Sequence, residues 1–579
     1  MILTSLVSYY EALLEKGELS RPGWDRVSVG YGVLLRPDGS IRSVVSLKKG
    51  EMRGKKSVLV PIKLCAPKQT ERTSGIRAKF LCDTPAYLLG YSEKDPKASQ
   101  KFEASKELHL RVLANADSDA ARTLKNYFLS HQPGGAEALG IPQEYAEDFS
   151  NGVQLTFLDE DGRYLMGDAA VAAAWDSDFA DDGDTVKGRC IVTGREDGIA
   201  VVHSKIKGVP GAQSSGAALV SFNAPAFESY GNDGGQGLNA KVGKYAMNAY
   251  SAALNHLLAG NNRTQIGDTT IVWWTPDADK ECEDFFAKCL SGEDEGTALG
   301  SIMRRISHGD AMDFSAARLE KPFCILGLSP NAARLSARFF YRDTFGTFLE
   351  HIAAHYERLN IEKSDKVRKY LTPRYLLLET VPPDVKNPDN AISPLLGGAL
   401  LSAILNDWRY PESLYDSVLC RIRAKNELSP GKAAIIKAYL LKNTDNKSYK
   451  EVLTMSLNEE STNRAYVLGR LFAALENAQY NANNKSSNLK ERYLTSACAT
   501  PGLVFPAMIQ MSVHHTEKSG SVQDAKLIAE LMDKLEGGVP FPARLDNTEQ
   551  GLFLEGYYHQ TQKKFRDIAE AKKNKEAES

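Results

Sequence analysis

Residues 379–405, ETVPPDVKNPDNAISPLLGGALLSAIL, decide the architecture, because the hydrophobic pattern changes within them. Pro382-Pro383 and Asn387-Pro388 remove backbone donors and push the residues before them toward extended geometry. From Pro394 onward the apolar residues recur with helical period over 394–406, 413–424, 431–442, 462–480, 488–498, 523–536 and 549–570. Upstream, helix and strand signals alternate. Residues 2–16 form an amphipathic helical pattern, and Val27–Leu35 with Ile41–Leu47 reads as a hairpin turned by Arg36-Pro37-Asp38-Gly39-Ser40. A second strand pair is expected at Cys190–Thr193 and Ile199–His203, and a buried strand at Ile271–Trp274. The expected fold class is α+β: a mixed region over 1–378, a linker over 379–393 and an all-α bundle over 394–579.

A chain of 579 residues is too long for one core, and 42% hydrophobic with 25% charged residues is ordinary globular composition. The formal net charge is −2, so any phosphate-binding surface must be local rather than global. Eight cysteines are scattered without a C-x-x-C pair, which excludes a zinc ribbon and fits reduced thiols in a cytoplasm. The longest apolar run, Leu395–Leu405, is too short to cross a bilayer, so a membrane role is not expected.

Catalytic patterns fail one by one. His351 and His355 sit at i, i+4, but the general-base position between them holds Ile352, which moves no proton. Asp159-Glu160-Asp161-Gly162 resembles an acidic ATPase box, yet no phosphate-cradling G-x-x-x-x-G-K-[ST] exists; Gly243-Lys244-Tyr245 puts an aromatic where the magnesium hydroxyl belongs. Asp176, Asp178, Asp181, Asp182 and Asp184 read as an acidic loop without the glycine and closing glutamate of a calcium loop. No enzyme site, metal or cofactor is expected; a metal-dependent nucleic-acid-processing enzyme using that aspartate cluster is the competing reading.

Charge segregation points elsewhere. Between residues 36 and 79 twelve lysines and arginines face only Asp38, Glu51 and Glu71. Such separation is the footprint of a phosphate-binding face. Within it, Lys63 and the polar loop Lys68, Gln69, Arg72, Thr73, Ser74 and Arg77 carry the groups that reach phosphates and base edges. The glycine- and serine-rich tract 208–237 supplies a second candidate through Gln213, Ser214, Ser215, Asn223, Ser229 and Tyr230; packing between two strands is the alternative. A third follows Ser329-Pro330-Asn331, read as a helix start, after which Arg334, Arg338 and Arg342 fall at i, i+4, i+8. That stripe is either solvated or phosphate-tracking.

Eight ordered blocks then resemble one family. They include LTSLVSYYEALLEKGE (3–18), RTSGIRAKFLCDTPAYLLGY (72–91), IVTGREDGIAVVHSKIKGVPGAQSSGAALVSFNAPAFESYG (191–231) and ILGLSPNAARLSARF (325–339). RIRAKN (421–426), AYVLGRLFAALENAQ (465–479), SACATPGLVFP (496–506) and QGLFLEGYYHQ (550–560) complete them. Along nearly its whole length the chain resembles the large subunit of type I-C CRISPR surveillance complexes (Cascade). The resemblance implies a non-catalytic protein at the crRNA 5′-handle end that senses the PAM flank of double-stranded target DNA and helps open it. Implied partners are crRNA, the displaced strand, backbone and guide-processing subunits and a recruited helicase–nuclease. It also implies a C-terminal bundle like the Cascade small subunit, and Met455 is either an internal start from which that bundle is also made separately or an ordinary loop methionine.

Overall fold

A computed structural model describes residues 1–579 except 54–55, 69–74, 138, 140, 181–185, 223, 229–234, 292–314, 365, 484, 537 and 578–579. The fold is α+β, with sheets in the N-terminal half and helices alone at the C-terminal end. The chain divides into two compact units, one of residues 3–204 and 220–253, the other of 205–219 and 254–579.

The first unit opens with helix α1 (Ile2–Glu15), followed by strands β1 (Trp24–Val29), β2 (Tyr31–Leu35) and β3 (Ile41–Ser46). The basic segment continues as β4 (Lys49–Arg53), β5 (Lys56–Val60) and β6 (Ile62–Pro67). After β7 (Cys82–Asp83) come helices α2 (Ala98–Val112) and α3 (Asp119–Ser130), strand β8 (Leu155–Leu158) and helix α4 (Ala169–Ala180). The sheet order is β3-β2-β8-β7, with β2 parallel to β8. β1 with β6, and β4 with β5, form separate two-stranded ribbons. The expected single strand 27–35 is thus broken at Gly30, whose N–H donates to Gln154 O and whose carbonyl accepts from Leu47, sending the halves to different sheets. Val33, Leu35, Phe102, Tyr127, Phe128 and Phe157 fill the core against α2 and α3.

Later in this unit, β9 (Lys187–Arg189) pairs with β10 (Glu196–Gly198). The expected pair at 190–193 and 199–203 is therefore displaced toward the N-terminus. Cys190–Thr193 instead enters the turn, with Gly194 N–H donating to Cys190 O at 2.8 Å. Helix α5 (Lys244–Ala259) carries the chain from the first unit into the second.

The second unit holds an antiparallel sheet β11-β12-β13-β14, with β11 (Arg263–Ile266), β12 (Thr269–Trp274), β13 (Pro322–Asn331) and β14 (Arg334–Thr344). β12 is buried along its whole length, as expected of Ile271–Trp274. Against the sheet pack α6 (Lys280–Ser291) and α7 (Phe345–Leu359). Helices α8 (Pro394–Leu405), α9 (Glu412–Lys425), α10 (Pro430–Asn443), α11 (Arg464–Ala482), α12 (Leu489–Ala499), α13 (Pro501–Ser519), α14 (Val522–Asp533) and α15 (Asn547–Ala577) follow. One apolar core runs from Ile271 and Phe323 through to Phe553. Residues 379–393 carry a short helix, Pro388–Ala391, and bury Val381 and Ile392.

Two glycines let α11 and α15 cross at backbone distance. A Cβ on Gly469 would lie 1.9 Å from the Phe553 carbonyl oxygen, and one on Gly556 would lie 2.0 Å from that of Tyr466. No other residue fits there.

Candidate nucleic-acid interface

The arginine stripe is a strand, not a helix. Ser329 and Pro330 close β13, and Asn331 pairs with Arg334 across a two-residue turn in which Ala332 takes φ +52°. The backbone donors that a helix would satisfy internally go instead to β13, which is flanked on both sides by strands. Within β14 the register slips: Gly327 faces Phe339 while Leu328 faces Ala337, leaving Arg338 as the extra residue of a bulge. Cross-strand partners share a face, and Arg334 pairs with Asn331 whereas Arg342 pairs with Cys324. These positions of β13 are an odd number of residues apart, so Arg342 lies on the face opposite Arg334. Arg338 turns toward Ser329, donating to its Oγ at 3.2 Å, with Asp268 3.6 Å away. Arg338 thus shares the side of Arg334. The stripe is divided two against one.

The tract 205–219 packs beside that hairpin in the same unit. Ile206 and Ala217 bridge antiparallel, and Gly216 N–H closes a turn onto Gln213 O at 2.8 Å. Ala218 N–H donates to Ala333 O and Leu335 N–H donates to Ala218 O, both at 2.9 Å. Two candidate segments more than a hundred residues apart in sequence therefore meet through Ala218 and Arg334, and Gln213, Ser214 and Ser215 are exposed on the same tract. Two glycines are required by this geometry. Gly216 takes φ +95°, and a Cβ there would stand 2.9 Å from that of Lys205; Gly211 takes φ +80° against Pro330.

Cations the sequence reading did not single out complete the patch. Lys205 donates to Ser215 Oγ at 3.2 Å, Arg263 donates to Gly208 O at 3.1 Å, and Lys207 is exposed. An exposed arginine at a strand start carries no local sign of a neighbour brought in from another segment, so only the fold shows it. Small residues, hydroxyls and the cations Arg334, Arg338, Lys205, Lys207 and Arg263 can hold phosphate oxygens while letting a backbone approach.

In the first unit, Lys63 lies exposed on β6 opposite Ser28, on the same face as Arg26. Lys68 N–H donates to Gly23 O at 2.7 Å, and Trp175 Nε1 donates to the same carbonyl. Trp24 Nε1 in turn donates to Asp176. Beyond the polar loop, Arg77 N–H reaches Tyr87 Oη at 3.3 Å, and Leu81 N–H donates to His109 Nε2 at 2.9 Å. That bond fixes the His109 proton on Nδ1, which donates to Ser105 O; burial pushes its pKa down to about 4. Lys63, Lys68 and Arg77 are exposed, and the strands on either side of the loop are pinned. Gln69, Arg72, Thr73 and Ser74, like Asn223, Ser229 and Tyr230 of the other tract, lie outside the described residues.

Not every cation of the 36–79 segment is available. Lys48 pairs with Asp148, which also accepts from Tyr31, and Arg42 donates to Glu160 O at 3.1 Å. Asp176 and Asp178, expected in a loop, lie on α4 and are held by Arg21 and Arg111. Asp181, Asp182 and Asp184 are outside the described residues. His351 and His355 do sit on a helix, α7, where His351 Nδ1 meets Leu405 O at 2.6 Å and His355 Nδ1 meets Tyr410 Oη at 2.7 Å. Among the described residues no helix is long and apolar enough to cross a membrane.

Comparison with known protein families gives a match over residues 6–565 to the model of CRISPR-associated proteins described as Cas_Csd1. The chain belongs to that family. The match takes in both units and every candidate segment above. No curated protein matches the chain.

Proposed function

We propose that this Cas_Csd1-family chain is the non-catalytic large subunit of a type I-C Cascade complex. In this reading it recognises the PAM-flanking duplex, helps start R-loop formation and supports recruitment of the helicase–nuclease. The family match over residues 6–565 carries the proposal. The joining of the 205–219 tract to Arg334 through Ala218, with Lys205 bonded to Ser215 and Arg263 to Gly208, supports a phosphate-holding role for that surface. Base pairing with the guide would then read the target, while the protein reads flank and shape. Residues 394–579 would serve as the part that resembles the small subunit, along the displaced strand.

The deciding experiment is purification of the tagged chain from its native host. A crRNA-sized RNA and partner Cas subunits should accompany it, and target binding should depend on the flanking motif. Replacing Gln69 and Arg72 by alanine should relax that dependence; unchanged flank preference would remove the 68–77 loop from the assignment. Metal-dependent cleavage of nucleic acid by the purified chain would overturn the non-catalytic reading.

A further inference from the structure

Outside both candidate surfaces, a cavity of about 240 Å³ opens in the second unit between the end of α7 and residues 360–363 and 369–371. Lys363, Lys369, Tyr370 and Asn360 line it, and Glu357 is the one carboxylate among the described lining residues. Behind the wall, buried Lys437 of α10 donates its Nζ proton to the Asn360 carbonyl. The carboxylate nearest Lys437 on α15 is Glu555, whose pKa burial raises to about 8, leaving it neutral at pH 7. The ammonium groups of Lys363, Lys369 and Lys437 therefore gather around a cavity in which Glu357 is the one carboxylate among the described lining residues.

Lys363 is half-buried and has no ion-pair partner among the described residues. Its pKa is held below the ordinary lysine range, first by burial and then by the charge of Lys369. A half-buried ammonium beside a like charge, here Lys363 beside exposed Lys369, is costly unless an anion joins the two. The Lys369 ammonium lies 5.3 Å from the Tyr370 ring, which meets Tyr356 edge-on at 5.5 Å, so that wall is aromatic and fixed. Lys366 and Arg368 are exposed in the same short segment and extend the positive field outward. The volume falls below the roughly 300–1,000 Å³ of sites for drug-sized ligands, which favours a compact oxyanion.

We propose that this cavity is a binding site for a single phosphate group, held between the Lys363 and Lys369 ammonium groups. The site is independent of the proposed Cascade role, because none of its residues belongs to the surfaces argued above. The phosphate has two sources, a free anion or the end of a nucleic-acid strand, and the test separates them. Inorganic phosphate is titrated calorimetrically into the full chain, followed by a short oligonucleotide with either a 5′-phosphate or a 5′-hydroxyl. Saturable binding of inorganic phosphate at one per chain, weakened about tenfold by Lys363→Gln or Lys369→Gln and kept by Lys363→Arg, supports a free-anion site. A preference for the 5′-phosphorylated oligonucleotide that those variants abolish assigns the strand end. Reductive methylation of Lys363 in the unmutated chain gives a readout that needs no variant, since bound phosphate should slow it. Equal affinity of wild type and both variants for every probe, with no protection of Lys363, overturns the proposal.

Discussion

Ala218 stands beside Arg334 as its parallel bridge partner, tied by N–H bonds of 2.9 Å to Ala333 O and from Leu335. Through this one pairing a small-residue loop and an arginine hairpin become a single surface. The bulge at Arg338 then decides which arginines share it: Arg334 and Arg338 do, and Arg342 does not. Arg334→Gln should lower affinity of the assembled complex for nucleic acid and flatten the log–log salt dependence by about one unit, one phosphate contact's worth. Arg342→Gln should leave the slope at its wild-type value. Binding measured across a salt series checks both, and equal effects of the two substitutions would refute the division of faces.

Spacing of four residues satisfies a helical face and, because four is even, a strand face as well. Ser-Pro-Asn at the start matched a helix cap, while the true turn, Ala332-Ala333, carries none of the Asn-Gly or Asp-Gly signals of a tight hairpin. Ala332 is forced to φ +52° by the pairing on either side. The meeting of Ala218 with Arg334 is a non-local event that no periodicity encodes. The C-terminal helices are legible because their apolar residues recur with helical period, so α8, α9, α10, α11, α12, α14 and α15 lie where that period puts them. α13 was missed because Gly502 and Pro506 interrupt its pattern; the helix continues through Pro506 regardless.

Backbone contact at the α11–α15 crossing makes a stability prediction. Gly469→Ala and Gly556→Ala would each drive a methyl group into a carbonyl oxygen that cannot swing aside. Each should cost about 1–3 kcal/mol or more in chemical denaturation, with retained helix content at low denaturant. Gly135→Ala, where nothing lies within 4 Å, is the matched control and should stay within about 0.5 kcal/mol. A crossing that tolerates both alanines would mean that the helices can slide apart.

Glu555 and His559 give opposite pH dependences from one buried site. Burial raises Glu555 to about 8 and lowers His559 to about 3, while His559 Nδ1 meets Tyr466 Oη at 2.9 Å. Lys437 of α10 is the cation facing Glu555, and Tyr415 and Tyr558 lie within its field. For Glu555 the folded pKa exceeds the unfolded one. Its contribution is therefore complete below the ordinary carboxylate pKa and is lost as pH rises through about 8. For His559 the folded pKa is depressed, so stability is present above the ordinary imidazole value and lost as pH falls toward about 3. Of the two, only Glu555 acts between pH 6.5 and 8, and its contribution should fall with rising pH by up to about 1.4 kcal/mol per unit. Glu555→Gln should flatten that limb while leaving the acid limb in place. Denaturation midpoints followed across pH test this, and an unchanged alkaline slope in Glu555→Gln would assign it to another group.

Met455 bears on how the bundle is made. It is 52% exposed in a loop before α11, whose N-cap is Asn463, accepting from Tyr466 N–H at 3.1 Å. Just upstream, Ser461 Oγ accepts from Asn463 N–H. Residues after Met455 include α11 through α15, with α11 buried along nearly its whole length by the others. In the full chain one side of α15 is covered by α9 and α10: Tyr415 Oη donates to Asn547 O at 2.7 Å, and a Cβ on Gly551 would meet that hydroxyl at 2.2 Å. A fragment of 455–579 would keep its own centre but expose this side, so it should fold as a helical domain of lower stability than the intact unit. Expressed from its native coding sequence with a C-terminal tag, the gene should yield a second species of 125 residues, about 14 kDa by proportion to 63.6 kDa for 579. Changing the Met455 codon to leucine should abolish that species and leave the full-length band. A single full-length band from the unmodified gene would show that the bundle exists only as part of the whole chain.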